Sequence, residues 1–188
     1  MLASLQQKRN EEEKMAKTNK KAVIREVALF CLIVATMLLI RCYVCEIRIV
    51  AGESMMPTLK QGNILFVNKL VNNYEPMDVI VINYGEITIT KRIVGCPGDT
   101  VQIKNGIVYI NDLPLQDITC ETTEYAGIAR KPITLRENEY FVLGDNRAYS
   151  CDSRHTDVGI INQEEIIGRA TVAIFPFKNL KNNKEKEL

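Results

Sequence analysis

A mainly antiparallel β domain carried on one N-terminal membrane-spanning helix is the fold class this sequence predicts. Three observations predict it: a single uncharged apolar run, Val27 to Ile40; a series of short β-branched stretches after it, bounded by Gly, Asn, Asp and Pro; and an Asn-Gly pair between two alternating runs. With 188 residues, 46% of them apolar, there is room for one folded domain and an attachment rather than for two large domains. A net charge of +1 gives no support to a nucleic-acid binder.

Taken from the start, residues 1–21, MLASLQQKRNEEEKMAKTNKK, are polar and lysine-rich and predict a short mobile or frayed helical tail. The anchor, residues 22–44, follows. Its uncharged centre of 14 residues rises only about 21 Å, short of a hydrocarbon core of about 30 Å. Extending the helix to Ala22 and Val44 reaches that length, with Arg25, Glu26 and Arg41 snorkelling to the headgroups. The basic tail argues against a buried core helix, and IRCYVCEIR offers no small-x-small site for removal as a leader. Lys8, Arg9, Lys14, Lys17, Lys20 and Lys21 place the amino terminus in the cytoplasm and the chain from about Glu46 outside.

Residues 45–178 read as the β domain. IRIVAG, ILFVNKL (Ile64 to Leu70), DVIVINY (Asp78 to Tyr84), ITITKRIVG (Ile87 to Gly95) and EYFVLGD (Glu139 to Asp145) are strand candidates. VQIKNGIVYIN predicts a hairpin turning at Asn105-Gly106, because a type I′ turn needs positive φ at both central residues. A loop-rich insertion is expected at about 103–138. INQEEIIG predicts one short helix, with Asn162 as N-cap and Gly168 as its stop. The end, residues 179–188, is a polar tail with nothing to bury.

Three polar segments stand out from this background. GESMMPTL places Ser54 in a turn between a strand and Pro57. ITITKRIVG puts Lys91 on the same strand face as Ile87, Ile89 and Ile93, with Thr88, Thr90 and Arg92 on the other. LGDNRAYSCDSRH is a dense polar run directly after an apolar strand. Each alone reads as a turn, an edge residue or a solvated loop. A serine needs a base to become a nucleophile, and two candidates exist. His155, the one histidine, has Asp145, Asp152 and Asp157 near it in sequence and keeps a Ser-His-Asp triad open. Lys91 serves if it is neutral, and burial among isoleucines favours the neutral amine, at about 1.4 kcal/mol for each tenfold change in its proton affinity.

Gly-x-Ser-Met-x-Pro-Thr-Leu, then Lys-Arg-x-x-Gly-x-Pro-Gly-Asp, then Gly-Asp-Asn-Arg-x-x-Ser-x-Asp-Ser-Arg, behind an N-terminal anchor, closely resembles the bacterial type I signal peptidases across roughly residues 25–175. That resemblance implies a membrane-bound serine endopeptidase with a Ser-Lys dyad, removing signal peptides from exported preproteins after small residues in an Ala-x-Ala-like pattern. It implies Ser54 as nucleophile, Lys91 as general base and Ser150 as the serine that orients the lysine. Asp145, Arg147, Asp152 and Arg154 match the residues that brace the site, and Met55 the methionine beside the nucleophile. Many members carry a serine where this chain has Gly52, so an oxyanion hole of main-chain groups, Ser54 N–H and a donor near Gly52, is expected. Met77 stands where a glycine commonly precedes the aspartate, and RHTDVG replaces an aromatic-rich ending. Ile49, Met55, Met56 and Ile89 are candidates for the substrate pockets.

Cys42 and Cys45 form a C-x-x-C, but neither a βαβ pattern nor a second cysteine pair accompanies it. Cys31 reads as a small apolar residue of the helix, and a disulfide among Cys96, Cys120 and Cys151 is open if they face an oxidising exterior. The expected chemistry needs no metal or cofactor. The expected partners are signal-peptide-bearing preproteins, membrane lipid and a nearby export translocase, with no nucleic acid. Two rivals from other classes are a self-cleaving repressor-type Ser-Lys protease, which the apolar run disfavours, and a non-enzymatic tethered β domain.

Overall fold

The computed structural model describes the backbone of residues 2–116 and 123–180, and the side chains of residues 20, 21 and 23 onward within those ranges. Cys120, the basic side chains up to residue 19 and the last eight residues of the polar tail lie outside the described residues. The chain divides into two units, Met1–Tyr43 and Val44–Leu188.

The first unit is one helix, α1 (Leu2–Tyr43), so the predicted tail and anchor are a continuous helical backbone. Within it Val23–Tyr43 is a 21-residue stretch apolar and long enough to cross a membrane, about 31 Å at 1.5 Å per residue. None of that stretch is buried, and Phe30, Leu32 and Met37 are each more than 60% exposed. The Thr36 hydroxyl donates to the Leu32 carbonyl at 2.8 Å, so this polar group is satisfied inside the helix.

The second unit is built on antiparallel pairs. The large sheet is formed by β1 (Cys45–Ile49), β2 (Ile64–Asn68), β3 (Val79–Tyr84), β4 (Ile87–Gly95), β9 (Glu139–Leu143), β10 (Ile161–Asn162) and β11 (Ile166–Phe175), in spatial order β1-β2-β11-β3-β4-β9-β10, with β12 (Lys178–Asn179) paired to β11. The small sheet is β7-β6-β5-β8, from β5 (Thr100–Lys104), β6 (Ile107–Ile110), β7 (Leu113–Pro114) and β8 (Ile133–Thr134). The fold class is the one the sequence predicts. Asn105 and Gly106 have φ of 49° and 79°, the two positive values of the expected hairpin turn between β5 and β6.

Both faces of the large sheet are covered at β3, which explains why β3 reads as a continuous apolar run. Val79 and Val81 join a core with Met55, Leu65 and Val67, whereas Ile80 and Ile82 join a second with Ile93, Tyr140 and Val142. A third cluster, including Val94, Val101, Phe141 and Leu143, packs the small sheet against the large one.

Several expectations are corrected. INQEEIIG is no helix: only Gln163–Glu165 form a 3-10 turn, and Ile166 opens β11, the longest strand. Asn162 does cap that turn, its N–H donating to Glu165 Oε2 at 2.6 Å, but Gly168 lies inside the strand. The loop-rich insertion carries most of the small sheet, whose first strand begins at Thr100. Met77 keeps the glycine-like conformation, with φ 72°, because its N–H donates to the Ile93 carbonyl at 2.8 Å and its own carbonyl accepts from Arg92.

Candidate active site

Ser54 sits in the turn after β1. That turn is closed at its base by Val50, whose N–H donates to the Asn63 carbonyl and whose carbonyl accepts from Gly62, both at 2.9 Å. Gly52, at φ 81°, starts the reversal, and Met55 and Leu59 anchor it by burying their side chains completely in the first core. Ser54 itself is left half-buried at the surface of the unit.

Lys91 lies on β4 and is only 3% exposed. Ile80 of β3 is its direct cross-strand partner, and Ile89 and Ile93 flank it two residues away on its own face. Ile87, expected to share in that wall, is 60% exposed and does not. Among the described residues the Lys91 amine forms no hydrogen bond and no ion pair. Burial holds its amine below the usual lysine value, outweighing the upward pull of Asp152, Cys151 and Asp145.

Gly144 ties these groups together. β4 pairs with β9 through Arg92 and Leu143, and the antiparallel register continued by one residue sets Lys91 opposite Gly144. A side chain there would project to the face Lys91 occupies. A Cβ on Gly144 would fall 2.5 Å from both Ser150 Cβ and the Ser54 carbonyl oxygen, and closer still to Ser150 Oγ. Cross-strand partners hold their Cβ positions about 5 Å apart. Ser54, Lys91 and Ser150 therefore converge on one spot, over a residue that has to be glycine. Ser150 Oγ is buried without a well-formed hydrogen bond, although it lies near enough to Asp152 to favour the carboxylate.

The polar brace surrounds this spot. Arg92, on the opposite face of β4 from Lys91, clamps Asp145 in a two-pronged ion pair, Nε to Oδ1 at 2.7 Å and an Nη to Oδ2 at 2.6 Å. Arg154 binds Asp152 in the same manner, at 2.7 and 2.9 Å, and its guanidinium also reaches the Arg147 and Ser150 carbonyls. Asp152 accepts from Gly144 N–H at 3.0 Å. Burial alone would raise the Asp152 carboxyl, but the hydrogen bonds and charge of Arg154, with the Gly144 and Ser150 donors, hold it below the usual carboxylate range. Arg147 donates to the Gly144 carbonyl at 3.0 Å and to Thr123 Oγ1 at 3.2 Å, and burial with the nearby Arg154 charge pushes it down to about 10. The partnership of Arg92 with Asp145, and the part of Gly144, are not foreseen by sequence reasoning. Their only signal is that both belong to the quoted motifs.

His155 is used otherwise. Its Nδ1 accepts, weakly at 3.4 Å, from the Asp152 N–H, and its ring lies 4.9 Å from that of Tyr125. Asp145 and Asp152, two of the three carboxylates near His155 in sequence, are committed to arginines. Of the pocket candidates, Met55 is buried in the first core, Met56 and Ile89 are half-buried, and Ile49 is 70% exposed. Cys31, Cys45, Cys96 and Cys151 are free thiols, and burial pushes Cys96 up to about 12. Among the described residues no cluster of three or more His, Cys, Asp or Glu has the arrangement of a metal site.

Comparison with known proteins matches the chain to one family. The model of a family described as signal peptidase, peptidase S26, matches residues 23–175. Signal peptidase I T of Bacillus subtilis (strain 168) is 34% identical, over 95% of this chain and 99% of the relative. A signal peptidase I of Bacillus amyloliquefaciens is 36% identical over 80% of this chain and 84% of its own length. A solved signal peptidase I from Enterococcus faecalis V583, 27% identical, covers 53% of this chain and 97% of that one, with a TM-score of 0.45. The class is that of serine endopeptidases. The chain belongs to the signal peptidase family and is of the signal peptidase I type.

Proposed function

We propose that this chain removes signal peptides from exported preproteins through a dyad of Ser54 and Lys91. The observation that carries the reading is a lysine 3% exposed and unpaired among the described residues, set beside a glycine whose missing side chain makes room for the Ser54 main chain and the Ser150 hydroxyl. A buried lysine without a counter-ion is costly unless it is neutral, and a neutral amine is a base.

Lys91 takes the Ser54 proton as Oγ attacks the scissile carbonyl, and the resulting ammonium gives that proton to the departing amine. Water, activated by the same amine, then hydrolyses the acyl-enzyme. Ser54 N–H and a main-chain donor near Gly52 receive the oxyanion. Ser150, whose hydroxyl lacks a well-formed partner, fixes the direction of the amine; the Arg92–Asp145 and Arg154–Asp152 pairs hold the loop that carries it. The substrate lies extended along β4, whose Ile87–Lys91 segment has no β9 partner, and presents small side chains to shallow pockets beside the dyad.

The unit sits at a membrane. Val23–Tyr43 supplies the span, with the amino terminus cytoplasmic by the charge rule. Lipid also suits β1, which turns Ile47 and Ile49 out, 64% and 70% exposed, and its Glu46–Arg48 ion pair toward the core side. A row across the sheet, Ile49–Ile64–Phe175, continues that outer apolar face, with Phe177 just beyond it. An export translocase is the natural source of the substrate.

The test is cleavage of a preprotein by the detergent-solubilised chain. Ser54→Ala is expected to abolish it, and Lys91→Ala to lower kcat by about 10²–10⁴ or more. Wild-type activity in either variant overturns the dyad, and loss on His155→Ala alone favours a triad.

A further inference from the structure

The loop carrying Ser150 also holds the main chain of Ser54, through one residue that the catalytic scheme does not use. Asn146 donates its backbone N–H to the Ser54 carbonyl at 3.0 Å and its side-chain Nδ2 to the Glu53 carbonyl at 3.2 Å. The two peptide units flanking the Ser54 Cα are thus both gripped by one asparagine. Glu53 C=O and Ser54 N–H belong to the same trans peptide and point in opposite directions, so fixing the oxygen fixes the direction of the N–H. The Glu53 oxygen accepts from Met56 N–H at 3.1 Å as well, so both of its acceptor positions are filled. Ser54 N–H donates to no acceptor among the described residues.

That peptide needs an external restraint. Ala51, Gly52 and Glu53 are all exposed, and Gly52 has open space where a Cβ would be. A glycine there lets the peptide swing, and the buried Met55 anchors only the far side of the turn. We propose that Asn146 is a positioning residue for the oxyanion hole: its carboxamide, by holding the Glu53 carbonyl, aims the Ser54 N–H at the carbonyl oxygen under attack. This rests on Ser54 being the nucleophile. An oxyanion donor contributes in the transition state and little in the ground state, so losing its aim lowers kcat and leaves KM in place.

The experiment compares Asn146→Ala and Asn146→Asp with wild type and Ser54→Ala, all as the full chain in detergent. Removing one oxyanion donor typically costs 10²–10³ in kcat; Asn146→Ala, which loosens the donor without deleting it, is expected to lower kcat about 10- to 100-fold with KM within about twofold. Asn146→Asp is near in shape but sets a carboxylate against the Glu53 carbonyl, and is expected to lose more. In both variants the inhibition constant of a substrate-derived peptide aldehyde rises in proportion to the fall in kcat/KM, because the aldehyde adduct places an oxyanion in the hole. In Asn146→Ala the acidic limb of the pH–rate profile stays where it is, since Lys91 is untouched and no charge is added. Melting temperatures separate this from unfolding, and Asn146→Asp supplies the same readouts if the alanine variant does not fold. An inactive Ser54→Ala beside an Asn146→Ala with wild-type kcat and aldehyde affinity overturns the proposal alone, as does an acidic limb shifted in Asn146→Ala. An active Ser54→Ala overturns the dyad beneath it.

Discussion

Lys91 is a buried amine, and the pH dependence of folding carries the signature of its burial. Its folded pKa is lowered by burial, so the unfolded chain binds the extra proton between the folded value and about 10.5. Stability contributed by this residue therefore rises with pH through that window and is lowest below the folded value. Lys91→Met is expected to abolish cleavage and to raise stability at neutral pH by about 1–2 kcal/mol, a gain that shrinks toward pH 10.5. Chemical denaturation at several pH values reads it; a variant that is less stable than wild type at pH 7 contradicts it. The isoleucine wall makes a second expectation. Ile89→Thr admits water beside the amine, raises its pKa and moves the acidic limb of kcat/KM upward, because activity through the proposed dyad requires neutral Lys91. An unmoved limb would mean that Ile80 and Ile93, with the motif loop, desolvate the amine without it. The misplaced lysine was legible from period-two alternation alone; Ile87, on the same face, was not, because burial on β4 fades toward its exposed start.

At the scale of elements, legibility followed regularity. β4 has the bounds expected from the alternation of ITITKRIVG, and the Asn105-Gly106 hairpin follows from turn chemistry. β11 escaped for a physical reason. Its register against β2 shifts between Ala170 and Val172 and again between Ala173 and Phe175, and each irregularity breaks the alternation on which a strand is recognised. Gly168, which reads as a helix stop, is a packing residue: a Cβ there would strike the Asn68 carbonyl and lie 3.0 Å from a Val67 methyl. Gly168→Ala is therefore expected to cost about 1–3 kcal/mol by forcing β2 and β11 apart, although no cap or turn is altered. Urea unfolding measures this, and a neutral effect would show that β2 yields without loss. The residues of the candidate site were legible as three motifs, but the long-range partnership was not: Arg92 with Asp145 spans 53 positions, and no local pattern announces a pairing set by the register of β4 against β9.

At the scale of the molecule, a sheet face that should meet water is apolar. Antiparallel sheets with one solvated face normally alternate apolar-in and polar-out, and β1 does the reverse, with its isoleucines exposed and its Glu46–Arg48 pair half-buried. Only Val44 separates β1 from α1, so the strand that breaks the rule directly follows the span in the chain. Cost decides between readings of this face. Each large apolar side chain moved from water into lipid gains about 1.5–3 kcal/mol, enough for Ile49, Phe175 and Phe177 to bias a unit tethered as proposed above toward the bilayer surface. Ile49→Ser with Phe177→Ser should then lower cleavage of a membrane-inserted preprotein in vesicles by roughly 3- to 10-fold, while leaving kcat/KM for a short soluble peptide in detergent unchanged. Equal losses on both substrates would place these residues in the substrate site. No loss on either would leave the apolar face without a part in catalysis at the membrane.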